Sequence, residues 1–157
     1  MRVVYENRES QTAEQQIVAE VIEAWGLEGA DKLPISYRMD YAVYHWEVKP
    51  PIQVIDWFLE AKSRDWMFGN GDGYRLSLLK AEAAWTLRQV TGLPSILAVR
   101  FFGGIIRWTH MNIYRPDIII AGRRDRNDAA DIEPHVVYDW SLFSELDRRP
   151  KFIPIAG

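Results

Sequence analysis

Hydrophobic positions along the chain follow two different periods. Between residues 10 and 25, Ile17, Val18, Val21, Ile22 and Trp25 recur every three or four places, the spacing that lines one face of an α-helix. Ser10 or Thr12 is a candidate cap for it, and Gln15 stands three places after Thr12, a capping-box spacing. From Tyr37 to Trp46, and again from Ile52 to Lys62, the residues become aromatic and β-branched, which suits strands. Pro50 and Pro51 separate the two runs, because proline cannot supply a ladder N–H. These features predict an antiparallel hairpin.

A glycine-rich loop, Gly69 to Gly73, ends the second run. Helical spacing then returns from Tyr74 to Val90 in Leu76, Leu79, Ala83, Leu87 and Val90, and Gly92 with Pro94 marks the stop. Ser95 to Phe102 reads as a buried strand. Gly103-Gly104 signals a hairpin turn into Ile105–Trp108. Ile118–Ile120 reads as another short strand, the charged run from Gly122 to Glu133 as a loop, and Trp140–Leu146 as a short closing helix. This succession predicts an α/β fold with a central mixed sheet flanked by helices.

With 157 residues, 48% of them hydrophobic and 26% charged, the chain is expected to form one domain over 1–157. It has no cysteine, which removes disulfide scaffolds, thiol nucleophiles and cysteine-bound zinc or iron–sulfur centres. Met1–Glu6 lacks the apolar core of a signal peptide, and Arg100 interrupts the best apolar run well short of a membrane span. A cytoplasmic protein with no membrane partner is expected. Charge is unevenly spread: residues 1–60 hold 11 acids and 5 bases, residues 61–157 hold 11 acids and 14 bases. Most of the later bases are arginine, whose planar fork suits phosphate. An acidic pocket beside an Arg-rich surface suits a metal-dependent enzyme acting on a polyanion, although solvated surface charge gives the same count.

The candidate chemistry lies in the hairpin. In an antiparallel pair the numbers of opposed residues add to a constant, and a turn centred on Pro50 sets it at about 100, which places Asp40 opposite Glu60. Lys62, two residues beyond Glu60, shares its face. Two carboxylates with an ammonium beside them suit a hard divalent cation and a water that it acidifies, with the lysine orienting or helping to deprotonate that water. Glu14, three residues before Ile17 and four before Val18, falls on the apolar stripe of the first helix and is a third candidate carboxylate. Glu47-Val48-Lys49 has the same local spelling as Glu60-Ala61-Lys62, but Asp40 and Glu47 on one strand point to opposite faces. Asp56 shares a face with Glu60, yet four strand residues separate them by roughly 13 Å.

These pieces, Glu14 on the first helix, Asp40 within Arg38-Met39-Asp40-Tyr41-Ala42, and Glu60-Ala61-Lys62-Ser63-Arg64, resemble the PD-(D/E)XK nuclease superfamily. The general pattern over about residues 10–102 is similar to small phage or prokaryotic nucleases and Holliday-junction resolvases. Met39 stands where that motif has proline, and the Asp40–Glu60 spacing is at the long end. The resemblance implies a restriction-endonuclease-like core of αβββαβ-type order. It implies a Mg²⁺- (or Mn²⁺-) dependent nuclease acting on DNA, structure-specific or of a recombination and repair type. Asp40 and Glu60 would be its metal ligands, Lys62 would assist the attacking water, and Glu14 would be an accessory acid.

Arg64, Arg75 and Lys80 are candidate phosphate contacts, and Trp66 a candidate platform for an exposed base. The arginines at 123, 124 and 126 alternate with acids and read as a self-neutralising loop. The glycine-rich loop lacks the Gly-Lys-Ser/Thr ending of a nucleotide fingerprint, and the three histidines lack metal-ligand spacing. A homodimer would give two sites for two strands. The competing functions are a non-catalytic nucleic-acid-binding module of the same fold and a protein-interaction domain.

Overall fold

Strand β3, Pro51–Ser63, is the longest strand among the described residues and runs through the middle of the main sheet. It is described here in a computed structural model covering residues 8–48, 51–113, 115–122, 132–148 and 150. Before it come helix α1 (Arg8–Trp25), strand β1 (Gly29–Lys32), a 3₁₀ turn at Ile35–Tyr37 and strand β2 (Tyr41–Val48). After it follow β4 (Tyr74–Ser77), α2 (Leu78–Thr91), β5 (Ser95–Arg100), β6 (Ile106–His110), β7 (Asp117–Gly122) and β8 (Ile132–Tyr138). A 3₁₀ turn at Trp140–Leu142 and the short β9 (Ser144–Glu145) complete the described elements.

Among the described residues, six strands form the main sheet in the order β1-β2-β3-β5-β6-β9. β2 and β3 are antiparallel, β3 and β5 parallel, and β5 and β6 antiparallel again. The parallel pair needs a crossover, which α2 supplies together with β4. The predicted mixed sheet flanked by helices is therefore the observed architecture. Gly92 takes a left-handed conformation (φ 74°) and its N–H reaches the Arg88 carbonyl at 2.8 Å, which closes α2.

Alternation along β3 divides the core into two layers. Tyr41, Val43, Trp57, Leu59, Ala61, Ile96 and Ala98 pack under Ile17, Val18, Val21 and Trp25 of α1. Ala42, Phe58, Leu97 and Val99 face the other way, against Ala81 and Ala84 of α2 and against Tyr74, Leu76, Val136 and Tyr138. The last four belong to a second sheet of order β4-β8-β7. Glu60 and Lys62 alternate with Leu59 and Ala61, so they leave β3 on the α2 side.

Several boundaries differ from expectation. Tyr74–Ser77 is strand, and its buried Tyr74 and Leu76 alternate with Arg75 and Ser77 at period two. Reading Leu76 into the helical series joined two elements: α2 begins at Leu78 and buries Ala81 and Ala84, while Leu79 and Val90 are 37% and 79% exposed. Residues 37–40 are not strand either, since the 3₁₀ turn and a left-handed Arg38 (φ 56°) delay β2 until Tyr41. The predicted closing helix is a single 3₁₀ turn followed by β9. β8 has no counterpart among the expected elements; its Pro134, which lacks a ladder N–H, lies one residue past the last β4 partner, His135. Most of the predicted loop at 122–133 lies outside the described residues.

Candidate active site

The Asp40–Glu60 apposition depends on a compensation in the β2–β3 ladder. At the turn end, Val48 pairs with Pro51 and Tyr44 with Ile55, one residue out of the register that would oppose Asp40 to Glu60. Between Val43 and Tyr44 the register shifts, leaving Asp56 as the extra residue of a β-bulge. Beyond it Val43 pairs with Trp57, Ala42 with Phe58 and Tyr41 with Leu59. Without the bulge, a one-residue slip would send Asp40 and Glu60 to opposite faces.

Pairing with β2 stops at Tyr41–Leu59, while β3 continues alongside β5, with Glu60 beside Leu97 and Lys62 beside Val99. The site occupies this fork. Asp40 precedes β2 and turns its carboxylate into the gap, where Oδ2 accepts the Ala61 N–H at 3.3 Å. The Leu33 N–H in turn donates to the Asp40 carbonyl at 2.8 Å and holds the approach to the strand. Glu60 is fully buried, and Asp40 and Glu14 are 5% and 4% exposed.

Three buried carboxylates need compensating charge, and three lysines supply it. Lys62 Nζ lies 2.9 Å from Glu60 Oε1, 3.8 Å from Glu14 Oε1 and 3.9 Å from Asp40 Oδ2. Lys80 Nζ, from the first turn of α2, lies 3.3 Å from Asp40 Oδ1 and 3.1 Å from Glu60 Oε2. Lys32 approaches Glu14 Oε2 at 3.6 Å. Burial works to raise the Asp40 pKa, but Lys62, Lys80, Lys32 and the Ala61 N–H together hold it below the ordinary value. Burial dominates at Glu60 and raises its pKa, with Asp40 adding to the effect. Burial would lower the Lys62 pKa, yet Glu60, Asp40 and Glu14 push it up. Lys62 is therefore an ammonium here, a hydrogen-bond donor instead of the base that desolvation alone would make it.

Among the described residues, no three or more of His, Cys, Asp and Glu gather so as to hold a metal ion, so a metal at this fork would have two carboxylates, Asp40 and Glu60, as its protein ligands. That number suits Mg²⁺, which takes hard oxygen ligands and is usually held by one or two carboxylates with water and phosphate completing the shell. The position of Lys80 Nζ tests the fit: a single small cation already sits within 3.3 Å of an oxygen from each of Asp40 and Glu60.

The sequence profile of phage putative PDDEXK endonucleases matches residues 1–146. The chain belongs to this family. No curated protein sequence matches it. Among solved structures, the Holliday junction resolvase Hjc of the archaeal hyperthermophile Archaeoglobus fulgidus is similar in fold, with a TM-score of 0.53 at 14% identity. The alignment covers 87% of this chain and 91% of the resolvase. The PDDEXK assignment agrees with the family resemblance read from Asp40, Glu60 and Lys62, and the fold likeness with the restriction-endonuclease-like core.

Of the residues singled out in the sequence of this PDDEXK protein, the fold brings together Glu14, Asp40, Glu60 and Lys62. Lys80, a candidate phosphate contact, joins the same cluster. Its position followed from the end of β4 at Ser77, which places Lys80 in the first turn of α2, and reading 74–90 as one helix hid this. The other candidates lie outside the cluster. Arg64 stacks its guanidinium over Tyr74 at 5.5 Å, and Arg75 is exposed and bonds Asp72 at 3.3 Å. Trp66 packs against Tyr74, Phe101 and Trp140 with centroids 5.3–6.0 Å apart, so its ring is engaged within the protein. Tyr138, whose hydroxyl donates to the Met111 carbonyl at 3.0 Å, has its pKa raised by burial and by Glu60.

Proposed function

We propose that residues 1–157 form a single divalent-metal-dependent endonuclease domain that hydrolyses phosphodiester bonds in DNA. The observation that carries this reading is the pair of buried carboxylates, Asp40 and Glu60, presenting oxygens to one shared cation in a chain of the PDDEXK endonuclease family. A bound Mg²⁺ or Mn²⁺ would supply phosphate charge screening and an acidified water.

In this reading Asp40 and Glu60 hold the ion. Asp40, kept ionised by its lysines, also stays anchored to the Ala61 N–H. Lys62 remains protonated and donates to the substrate side, orienting the water or meeting charge that builds on a phosphate oxygen. Glu14 holds the Lys62 ammonium in place from α1. DNA is the substrate and sole macromolecular partner required. The resolvase likeness favours branched or otherwise distorted DNA, as in recombination and repair. A homodimer would present two such sites to two strands. No helix among the described residues is long and apolar enough to cross a membrane, and for a phage-type nuclease the work would take place in the cytoplasm.

Cleavage of supercoiled plasmid and of a four-way junction, with Mg²⁺ or Mn²⁺ and with EDTA, tests the proposal. Wild type should cut only with the metal, and Glu60→Ala and Lys62→Ala should each lose at least about a hundredfold in rate. DNA binding without cutting would point to a non-catalytic module, and neither binding nor cutting to a protein-interaction domain.

A further inference from the structure

Lys80 holds the oxygens that a bridging ion would need. Its Nζ contacts Asp40 Oδ1 and Glu60 Oε2, one oxygen from each carboxylate, at 3.3 and 3.1 Å, whereas Lys62 is centred on Glu60 Oε1 at 2.9 Å and stays 3.8 and 3.9 Å from Glu14 and Asp40. A divalent ion between Asp40 and Glu60 and an ammonium at the same two oxygens repel one another strongly at such distances in a poorly hydrated site. The charges also balance already: Glu14, Asp40 and Glu60 face Lys32, Lys62 and Lys80. Adding two positive charges leaves a buried excess unless a lysine withdraws.

Lys80 is the lysine placed to do so. Lys62 still has Glu14 within 3.8 Å if its contact with Glu60 weakens. The ion pairs of Lys80 among the described residues are the two with Asp40 and Glu60. It stands at the start of α2 on a flexible four-carbon stem, with 27% of its side chain already exposed. We infer that Lys80 is a stand-in counterion, neutralising Asp40 and Glu60 in the metal-free protein and yielding its place when a divalent ion binds. The inference rests on the reading of Asp40 and Glu60 as the ion's ligands. It gives the metal-free protein a way to keep two adjacent buried carboxylates, and it lowers the apparent metal affinity by competition. Ion binding would also release an ammonium at the rim, where a phosphate is the partner the proposed substrate supplies.

Two measurements on the full chain decide it. In the first, free Mn²⁺ is followed by electron paramagnetic resonance during titration of wild type, Lys80→Met and Glu60→Gln. Lys80→Met keeps the aliphatic stem and should bind Mn²⁺ about tenfold more tightly, within the usual range of a coupling between competing groups, while Glu60→Gln should bind more weakly. In the second, wild-type lysines are acetylated and quantified by mass spectrometry with and without saturating Ca²⁺. Lys80 labelling should rise about fivefold with the ion, and Lys62 labelling should change less. Unchanged or weaker Mn²⁺ binding in folded Lys80→Met, or Lys80 labelling that ignores a bound ion, overturns the stand-in role while leaving the ligand reading intact. Wild type that binds no Mn²⁺, or Mn²⁺ binding indifferent to Glu60→Gln, overturns both. The labelling arm needs no variant, so a Lys80→Met chain that fails to fold does not remove the test.

Discussion

Asp40 and Glu60 are neighbours whose protons are held in opposite ways. Asp40 touches the Ala61 N–H and lies near three lysines, so its pKa falls below the ordinary value despite burial. Glu60 is enclosed completely, so burial outweighs Lys62 and Lys80 and its pKa rises. Environments that separate the pKa values of two adjacent carboxyls are a mark of functional sites. The shift at Asp40 also has a consequence for stability. A depressed folded pKa means that the unfolded chain binds the proton more readily, so the contribution is complete above the unfolded Asp value and is lost as pH falls through the folded one. Metal-free Asp40→Asn should be less stable than wild type by about 1–3 kcal/mol at pH 7, the scale of a lost charge-assisted hydrogen bond. Urea unfolding should show that gap shrinking below about pH 4. A gap that widens on acidification would contradict the lowered pKa of Asp40.

At the scale of elements, the β2–β3 hairpin decides whether there is a site, and here a bulge and a polar cluster coincide. His45 Nδ1 lies 2.9–3.0 Å from the two carboxylate oxygens of Asp56, the bulge residue, and its Nε2 lies 3.1 Å from Glu47 Oε1. The hydrogen bond to Asp56, then that to Glu47, raises the His45 pKa. A raised folded pKa contributes stability that is full below the unfolded value of about 6.5 and is lost as pH rises through the folded one. NMR titration should place His45 above the ordinary histidine value and bring it back down in Asp56→Asn. The melting-temperature gap between wild type and His45→Gln should close as the buffer moves from pH 6 to pH 9. The hairpin also shows which part of the site was legible in the sequence. Aromatic and β-branched runs broken by Pro50-Pro51 gave the strands, and a symmetric turn gave the Asp40–Glu60 apposition. The apposition is present, but by another route, since the pairing at the turn end is one residue short and Asp56 restores it. Nothing in the composition around Asp56 announces a bulge, because the extra residue is accommodated by the ladder and not by a glycine. Lys80 was visible as a residue but not as a member of the cluster: Leu76 fits a helical series with Leu79 as well as a period-two series with Tyr74, and the packing of Tyr74 and Leu76 with Val136 and Tyr138 selects the strand.

For the whole molecule, the formal charge is −3, so a polyanionic substrate gains nothing from the net field and must be held by local cations. In the proposed reading these surround the fork, whose own lysines are already paired with carboxylates. Arg75 follows Tyr74 on β4, points outward, and is tied only to Asp72 among the described contacts, through an exposed bond that solvent largely screens. Arg64 is less available, because its guanidinium also covers the Tyr74 ring, so its loss would disturb packing as well as charge. Arg75→Ala is therefore the cleaner probe of substrate binding. With Ca²⁺ in place of Mg²⁺ to hold back cutting, DNA affinity measured from 50 to 200 mM salt should fall with a logarithmic slope of about −0.9 for each phosphate neutralised. Arg75→Ala should weaken binding to every DNA sequence alike and reduce the magnitude of that slope by about 1. Its Mn²⁺ affinity in the absence of DNA should equal that of wild type, because Arg75 contacts none of Glu14, Asp40, Glu60, Lys62 and Lys80. An unchanged slope would mean that the DNA passes the fork on a side away from β4, and a change in Mn²⁺ affinity would mean that the second sheet and the carboxylate cluster are coupled through the core.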